Sequence, residues 1–370
     1  YSQLPINGDG DLTFARTGTS GVPNATRVNE QGLIEDVNAD VPRLDYSEGG
    51  CPSLLLEPTS TNLITYSEDF SDSIWTAFDV TSVPNSITDP SGNLTGTRIT
   101  ALSGVNRAFQ TIVVESSSAS SRVYTGSFYI KSPNTTSCSI RVGLSTSNTP
   151  LTISSEWQKY EAPFTLSANS TFIRLGVDLD NENDIVDIAF GQVEEQTSAT
   201  SYIPTNGTIE TRAKDTSSKT NLQNYINSSE GTCYFYGKAL ADSNLNRYIS
   251  LSDNSGSNFV QIRINISNIL QARTFKDGSG LETISSPTTD TLNYYKCAVV
   301  WDNTKLVFFV NGVKVQEESV DNSYPINTLN TLTFNNSVIG GSANYEGKVK
   351  DLRVYDTALT EQELIDLTTI

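Results

Sequence analysis

The apolar residues of this chain recur in short segments that alternate apolar and polar positions or run apolar throughout. Period-two alternation bounded by Gly, Pro, Asn and Asp is typical of β-strands. In the first half of the chain these segments are GTRITAL, RAFQTIVV, RVYTGSFYIKS, SCSIRVGLS, WQKYEAPFTL, STFIRLGVDL and DIVDIAFGQVEE. Strands at such close spacing predict a β-sandwich of jelly-roll type over residues 66–210.

A second series of strand-like segments follows over residues 211–370. Its members are GTCYFYGKAL, RYISLSD, FVQIRINIS, ILQARTF, YYKCAVVWD, KLVFFVNGVKVQEE, TLTFNN and GKVKDLRVYD. The pair Asn311-Gly312 predicts a two-residue type I′ hairpin. Thr360, with Glu363 three residues later, predicts the capping box of a short C-terminal helix. The pattern therefore predicts a second β-sandwich that ends in one helix.

Residues 1–65 have a different pattern, because Gly and Pro interrupt every strand candidate. The segment has too few apolar residues for a core of its own. We expect an extended N-terminal arm, supported by the next domain or by a neighbouring protein, with a single helical turn at Leu33–Val37. The predicted fold class is all-β, with two tandem β-sandwiches preceded by this arm.

Composition excludes several classes of function. The chain has no His, so it has no Ser-His-Asp triad and no His-ligated metal. A net charge of −18 argues against nucleic acid as a partner, since a phosphate backbone requires a basic surface. No apolar run of about 20 residues occurs, so we expect no membrane insertion. The first residues, YSQLPINGDGDL, also lack the pattern of a signal peptide.

The four cysteines are too sparse to indicate a disulfide scaffold. They are Cys51, Cys138, Cys233 and Cys297. Cys233 and Cys297 lie in strand-like segments of the second sandwich and could be neighbours in a sheet. Buried free thiols are the preferred interpretation, and a Cys233–Cys297 disulfide stays open.

Three stretches resemble known families. KLVFFVNGVKV (305–315) and GKVKDLRVYDTALTEQEL (347–364) resemble the laminin-G/concanavalin-like family. SSEWQKYEAPFTL (154–166) and FGQVEEQTSATSYIPT (190–205) resemble a carbohydrate-binding-module jelly roll. ATRVNEQGLIEDVNADVPRLDYSEGGCPSLLLEPTSTNL (25–63) resembles the arm that precedes such modules in tailed-bacteriophage fibre and minor tail proteins.

These resemblances imply a non-enzymatic virion protein, a fibre or an appendage of the tail or head, with concanavalin-like and jelly-roll domains displayed outward. The implied partners are other virion proteins through the arm and host-surface glycans, and we expect a homo-oligomer. The implied location is the virion surface. A secreted or cell-surface bacterial adhesin is the first alternative, and a polysaccharide depolymerase is the second.

Candidate chemistry is sparse. A depolymerase needs two carboxylates beside one cleft, and no strand carries the Glu-x-Asp-x-(x)-Glu pattern that concanavalin-like glucanases share. No catalytic and no sugar-binding residue is therefore singled out. The segment DLDNENDIVD carries alternate carboxylates that would suit Ca²⁺ if it were a strand. These candidate calcium ligands are Asp178, Asp180, Glu182 and Asp184. A solvated acidic loop is the preferred interpretation of the segment, and the calcium site stays open.

Aromatic side chains are the expected contacts for sugar rings. Trp75, Trp157 and Trp301 lie in stretches that favour core packing. Tyr248, Tyr324 and Tyr345 lie near predicted loops, where they could line the rim of a site.

Overall fold

The computed structural model describes residues 12–16, 25–102, 107–114 (backbone only), 118–134, 137–143, 148–241, 245–341 and 343–370. In this part of the chain the expected all-β class is confirmed. The N-terminal segment contains β1 (Thr13–Ala15), β2 (Ala25–Val28), β3 (Ile34–Val37), β4 (Arg43–Asp45), β5 (Ser53–Leu56) and β6 (Ser60–Asn62). The first sandwich contains β7 (Thr76–Phe78), β8 (Val80–Ile87), β9 (Gly96–Ala101), β10 (Arg107–Val114), β11 (Arg122–Lys131), β12 (Ser137–Gly143), β13 (Asn148–Thr152), β14 (Gln158–Leu166), β15 (Phe172–Leu179) and β16 (Ile185–Glu194).

The remaining elements belong to the C-terminal part. They are β17 (Glu210–Arg212), β18 (Thr216–Lys219), β19 (Glu230–Ala239), β20 (Arg247–Ser252), β21 (Phe259–Ile264), β22 (Leu270–Lys276), β23 (Ser279–Ser286), β24 (Tyr295–Asp302), β25 (Lys305–Val310), β26 (Val313–Ser319), β27 (Thr331–Thr333), β28 (Gly347–Tyr355) and α1 (Glu361–Thr368). No helix of the described residues is long and apolar enough to span a bilayer.

The first sandwich packs two antiparallel five-stranded sheets face to face. Their strand orders are β13-β12-β15-β10-β7 and β14-β11-β16-β9-β8. The alternation seen in the sequence selects the core, since Cys138, Ile140 and Val142 of β12 are buried while the residues between them are less so. Trp75 is also buried there, with its ring centroid 4.7 Å from that of Phe70.

The C-terminal sandwich consists of two seven-stranded sheets. The front sheet has the order β1-β18-β27-β20-β21-β22-β23, and the back sheet has the order β26-β25-β24-β19-β28-β5-β4. Between the two sheets lies a core that includes Phe235, Trp301 and Phe308, each fully buried. Helix α1 packs on the outer side of the back sheet through Leu364, against Ala298 and other residues of β24 and β25.

The N-terminal segment is woven into both sandwiches. Strand β1 forms an edge of the front sheet, and β4 and β5 continue the back sheet beyond β28. The β2–β3 hairpin packs instead on the first sandwich, where Ile34 contacts a cluster with Phe190 and Tyr202. The sequence left open whether the next domain or a neighbouring protein supports the N-terminal segment. Its described strands pack on the two sandwiches of this chain. The domain boundaries at residues 65 and 210 stay a prediction.

The expected helical turn at Leu33–Val37 is wrong. Residues Ile34–Val37 form strand β3, in register with β2 from Ala25↔Val37 to Val28↔Ile34. The hairpin gains cross-strand hydrogen bonds and buries Ile34 on the first sandwich, which outweighs a weak local tendency to turn.

A buried group of charged side chains, here called the ionic junction, lies where the three parts of the chain meet. It consists of Arg16, Arg43, Glu57, Arg212 and Asp215, all less than a tenth exposed. Arg43 contacts Glu57 at 2.6 Å and also pairs with Asp215, while Arg16 contacts Asp215 at 2.9 Å. Arg212 reaches Glu57 at 3.1 Å. The junction therefore ties the N-terminal segment to the strands that lead into the C-terminal sandwich.

Several local predictions are confirmed. Asn311 and Gly312 have φ of 50° and 79°, as a type I′ hairpin requires. The capping box between Thr360 and Glu363 is present at the start of α1. All four cysteines are free, and Cys233 and Cys297 lie on the paired strands β19 and β24, where Cys297 is opposite Phe235.

Candidate functional site

The outer face of the front sheet carries a continuous line of polar side chains. Ile249, Val260 and Ala272 of the central strands point into the core, so their neighbours in sequence point outward. One outward position from each strand lies in register with the next across the whole sheet. These positions, here called the outer row, are Thr13, Ser218, Thr333, Ser250, Gln261, Arg273 and Thr283.

Hydrogen bonds link the centre of the outer row. The Ser250 hydroxyl donates to the carbonyl oxygen of Asn335 at 2.6 Å, and the Gln261 amide donates to the Ser250 oxygen at 3.0 Å. Nη1 of Arg273 donates to Oε1 of Gln261 at 3.2 Å. Each side chain in this series is therefore held in one orientation by its neighbour.

A second, shorter line runs beside the outer row. Tyr248 lies opposite Arg263, and Arg263 lies opposite Gln271. Nε of Arg263 donates to Oε1 of Gln271 at 2.7 Å, and the Gln271 amide donates to the Ser285 hydroxyl at 2.9 Å. Amide and guanidinium groups thus alternate over neighbouring strands, which gives the face planar hydrogen-bonding groups at fixed positions.

Two phenylalanines flank the outer row on its other side. The ring centroids of Phe259 and Phe275 are 5.3 Å apart, and the Arg273 guanidinium lies 5.5 Å from the Phe259 centroid. The face therefore combines hydrogen-bonding side chains with aromatic surface, which are the two features that polar ring-shaped ligands require.

The turns that position these strands follow from the sequence. Oδ1 of Asp253 accepts from the Ser255 amide at 2.9 Å and closes the β20–β21 loop. Burial alone would raise the pKa of Asp253, but hydrogen bonds from Asn258 and Ser255 overcome it and lower that pKa. Asn265 closes the β21–β22 loop by accepting from the Ile269 amide at 3.0 Å. Such Asx turns are the local reason for the meander of β20, β21 and β22.

The loop between β27 and β28 forms one wall of the face. The Ser252 hydroxyl donates to the carbonyl oxygen of Ser337 at 2.8 Å, and the Ile339 amide donates to Oδ1 of Asn254 at 2.7 Å. In this wall, Oδ1 of Asn335 is buried and has no hydrogen-bond partner among the described residues. Such a buried acceptor without a protein partner is costly, and Oδ1 of Asn335 is one of these atoms beside the outer row.

The electrostatics of the face are dominated by its two arginines. Burial lowers the pKa of Arg273, and repulsion from Arg263 lowers it further. Neither guanidinium forms an ion pair with a described carboxylate. Nε of Arg273 is also buried and lacks a hydrogen-bond partner in the described part of the chain. The face is therefore electropositive in a chain whose net charge is −18.

The outer face of the back sheet has a different character. Lys350 lies 4.1 Å from the Tyr294 ring centroid, and Tyr294 is 5.5 Å from Tyr236. Two of its cations have carboxylate partners from the N-terminal segment: Lys238 contacts Glu48 at 2.6 Å and Lys348 contacts Asp45 at 3.0 Å. Burial alone would raise the pKa of Glu48, but hydrogen bonds and charges, chiefly from Lys238, hold it at about 2. Part of the positive charge of this face is therefore neutralised within the chain itself.

A shallow groove of about 330 Å³ lies between the two sandwiches, with Pro58, Val123 and Leu245 in its lining. Two carboxylates, Glu195 and Glu346, also line it. Burial raises the pKa of Glu346, whereas Glu195 lies 3.6 Å from the Arg122 guanidinium. The groove is a place in the described structure where two carboxylates line one cavity, as the depolymerase alternative requires.

The four proposed calcium ligands are not arranged on one strand face. Asp178 is the only one within a strand, β15, and it is buried beside Arg141. Asp180 and Glu182 are exposed in the turn before β16, and Asp184 accepts from the Asn181 amide at 2.9 Å. Among the described residues no group of three or more acidic or Cys side chains could hold a metal ion. The calcium site stays a prediction.

The aromatic predictions have mixed outcomes. Trp75 and Trp301 are core residues as expected. Trp157 is half-buried, and Nζ of Lys131 lies 4.8 Å from the centroid of the Trp157 ring. The rim role suggested for Tyr324 and Tyr345 is wrong, since both are buried. The Tyr324 hydroxyl donates to the carbonyl oxygens of Phe259 and Phe275, and such satisfied hydroxyls are typical of core tyrosines.

Sequence reasoning missed Gln261, Arg263, Gln271 and Arg273. The signal was present, because VQIRINI and LQAR alternate apolar and polar residues and place these four residues on the non-core side of two strands. The sequence pattern does not show how those two strands pair. Their pairing places Gln261 opposite Arg273 and Arg263 opposite Gln271. A polar strand face read alone is indistinguishable from ordinary solvated surface.

Several known structures show distant likenesses to this chain. A native heptameric SAP-like pentraxin from Limulus polyphemus is 18% identical, with a TM-score of 0.33, over 38% of this chain and 70% of that chain. The CBM40 of the Ruminococcus gnavus IT-sialidase, bound to alpha2,3 sialyllactose, is 18% identical, with a TM-score of 0.34, over 38% of this chain and 83% of that chain. The receptor binding domain of botulinum neurotoxin mosaic serotype C/D is 14% identical, with a TM-score of 0.33, over 41% of this chain and 39% of that chain.

No curated protein matches the chain. A family profile does match, over a stretch that is less than half of the chain. The matched stretch includes the front-sheet strands β18, β27 and β20–β23 and most of the back sheet. Residues 212–365, which form most of the C-terminal sandwich, match the laminin-G-type family described as the concanavalin A-like lectin/glucanases superfamily.

Proposed function

We propose that this protein is a non-enzymatic, lectin-like component of a bacteriophage particle that recognises glycans on the host surface. The observation that carries the glycan-binding part is the outer row, a line of hydroxyl, amide and guanidinium groups beside two aromatic rings. Ser250 and Gln261 are buried in this row, and Arg273 and the neighbouring Phe275 are partly exposed. The superfamily match over residues 212–365 supports the same reading. Sugars need both hydrogen-bonding groups and apolar ring surface.

The chemistry of this face supports binding without catalysis. The outward positions of β20, β21 and β22 are Tyr248, Ser250, Ser252, Phe259, Gln261, Arg263, Gln271, Arg273 and Phe275. None is a carboxylate, and hydrolysis of a glycosidic bond generally needs a carboxylate pair. The face therefore has the groups to hold a glycan and lacks the groups that most glycosidases use to cleave one.

The assignment to a phage particle rests on the resemblance of residues 25–63 to the segment before such modules in phage tail proteins. In the described part of that segment, β2–β5 pack on the two sandwiches. Attachment to other virion proteins would therefore use surfaces that these intrachain contacts leave exposed. Several copies on one particle would compensate for weak binding at each site.

A glycan array probed with the full chain tests the binding function. We expect binding that is lost in Gln261→Ala and Phe275→Ala and retained in Arg353→Gln, whose side chain is exposed on the back sheet. Repeating the array with a calcium chelator tests the proposed calcium site separately. A folded chain that binds no glycan would contradict the function.

The virion location has its own test. Antibodies against the full chain, coupled to gold, are applied to phage particles purified from the source bacterium and viewed by electron microscopy. Labelled tails or heads would support the assignment. Particles that carry no label, together with chain found in the secreted or cell-surface fraction, would favour the adhesin instead.

The groove between the sandwiches keeps polysaccharide cleavage as a second candidate, because Glu195 and Glu346 line it together. The test is reducing-end release from capsular or cell-wall polysaccharide by the full chain. Cleavage that disappears in Glu346→Gln and persists in Gln261→Ala would assign an enzyme to the groove. Unchanged polysaccharide would leave the binding function alone.

A further inference from the structure

We propose that the glycan recognised by the outer face of the front sheet carries a carboxylate, held between Arg263 and Arg273. This inference rests on the proposed glycan-binding function and names the class of ligand for the same face. The ligand is therefore an acidic sugar, of the uronic or sialic type, rather than a neutral one.

The first argument is the absence of ion-pair partners for these two arginines in the described structure. Two arginines elsewhere in the chain, one buried and one half-buried, do have such partners: Arg43 pairs with Glu57 and Arg141 pairs with Asp178. On the opposite sheet, Lys348 contacts Asp45 at 3.0 Å. A chain rich in Asp and Glu supplies carboxylates to those cations and none to Arg263 or Arg273, which leaves two positive charges for a partner from outside.

The second argument is geometric. Arg263 lies opposite Gln271, and Arg273 follows two residues later on the same strand, so the two arginines occupy diagonal positions. Diagonal side chains on neighbouring strands begin about 7–8 Å apart, a distance that two long guanidinium side chains can close around one carboxylate. Planar guanidinium groups bind carboxylates through two parallel hydrogen bonds, which suits this arrangement.

The third argument concerns the donors left over. Arg263 uses Nε and Nη2 on Oε1 of Gln271, and Nη1 has no partner in the described part of the chain. Arg273 uses Nη1 on Gln261, and its buried Nε is unpartnered. An anion between the two groups would accept these hydrogen bonds and offset the repulsion between the like charges.

The neighbours of the pair fit the rest of a sugar. Gln261 is almost fully buried and fixed by Ser250, so its position is defined before a ligand arrives. Tyr248 and Phe259 border the arginines on either side. The apolar face of a sugar ring would meet the partly exposed side chain of Tyr248 or Phe275.

The test compares acidic glycans with their own carboxyl-reduced forms, using the full chain. The acidic probes are oligogalacturonate and sialylated oligosaccharides. Each is compared with the neutral product of its carboxyl reduction. A sulfated glycan serves as an anion without a carboxylate. We expect at least one acidic probe to bind about tenfold or more tightly than its reduced form, as loss of a charged hydrogen-bond acceptor implies.

Variants locate the preference. Arg273→Gln and Arg263→Gln are each expected to reduce the preference for the acidic glycan over its carboxyl-reduced form about tenfold. Arg353→Gln removes one positive charge from the back sheet and is expected to keep the preference for the acidic glycan. Circular dichroism and thermal unfolding establish that each variant folds. Two arginine variants are made, so that if one fails to fold, the other still tests the proposal.

The outcomes separate this inference from the function on which it rests. Equal binding of acidic and reduced glycans would overturn the carboxylate assignment and leave glycan recognition intact. Binding confined to the sulfated probe would overturn it as well. No binding to any glycan by the folded chain would contradict the proposed function itself.

Discussion

Arg43 and Asp215 are separated by 172 residues of sequence, and their side chains form an ion pair in the interior of the protein. The same Asp215 carboxylate accepts from the Glu57 amide at 2.9 Å, and Arg43 also contacts Glu57. Charged groups that leave water are stable only when every partner is in place. This relationship makes the ionic junction a sensitive point for the stability of the fold.

Glu57→Gln is expected to lower the free energy of unfolding by about 3–5 kcal/mol, because it leaves Arg43 and Arg212 buried without their full countercharge. The matched control is Glu317→Gln, which breaks the exposed pair with Lys314. That control is expected to cost less than about 1 kcal/mol. Urea denaturation of both variants checks the difference, and equal effects would contradict a stabilising junction.

The junction also predicts how stability depends on pH. Burial alone would raise the pKa of Glu57, but the charges of Arg212 and Arg43 overcome it and hold that pKa well below its ordinary value of 4.5. A lowered pKa in the folded state stabilises the protein fully above 4.5, and this contribution is lost as the pH falls through the folded value. We expect thermal unfolding of the wild type to shift downward with acid below pH 4.5. Glu57→Gln should show a smaller shift.

Gly312→Ala is expected to destabilise the β25–β26 hairpin. Gly312 has φ of 79°, and a Cβ there would lie 2.7 Å from the Thr369 hydroxyl oxygen. Gly278→Ala is the control, since φ is 70° but no atom lies within 4 Å of the added carbon. Both should lose about 1 kcal/mol from backbone strain. Chemical denaturation should show a larger loss of unfolding free energy for Gly312→Ala than for Gly278→Ala. A smaller loss for Gly312→Ala would refute the contact with Thr369.

The thiols are expected to react at very different rates. Cys51 is exposed, whereas burial raises the pKa of Cys138 and of Cys233 to about 12 and raises that of Cys297 as well. Thiolates are the reactive form, so buried thiols with raised pKa react slowly. Titration with a thiol reagent at pH 8 should modify Cys51 first, and the other three only after denaturant is added. Rapid modification of two or more thiols in the native chain would show that the core opens easily.

Tyr324→Phe is expected to lower the free energy of unfolding by about 1–3 kcal/mol, because two backbone carbonyl oxygens lose a donor. The hydroxyl bridges Phe259 and Phe275 at 2.9 and 3.1 Å, so the loss also loosens the ends of β21 and β22. Glycan binding by the variant should weaken along with its stability. An unchanged thermal midpoint would mean that water satisfies those carbonyl groups.

Local sequence signals were enough to predict part of this fold. The Asn311-Gly312 hairpin, the Thr360 cap and the core role of Trp301 each depend on residues close in sequence, and all three are confirmed. Strand periodicity also located most strands of both sandwiches. These features follow from φ preference, capping and alternation, which a single sequence displays directly.

The missed features depend on which strands pair. Strand β5 adds to β28, with Leu55 opposite Lys348, and no local pattern in either segment indicates this partner. The buried role of Tyr345 and the joint position of Arg263 and Arg273 likewise follow from sheet order. Burial of charge was also unexpected, since Arg43 and Glu57 in isolation indicate solvent exposure.

The placement of the N-terminal strands has a consequence for biosynthesis. Ser47 and Lys348 are 301 residues apart in sequence, yet they are hydrogen-bonded at 2.7 Å beside the strands that complete the back sheet. During translation, β4 and β5 leave the ribosome long before β28 exists. The edge of β5 that pairs with β28 therefore stays unpaired until nearly the whole chain has emerged. Such distant pairing is slow to form and exposes strand edges to aggregation in the interval. Ribosome-bound chains truncated before β28 are therefore expected to hold the first sandwich folded and the second incomplete.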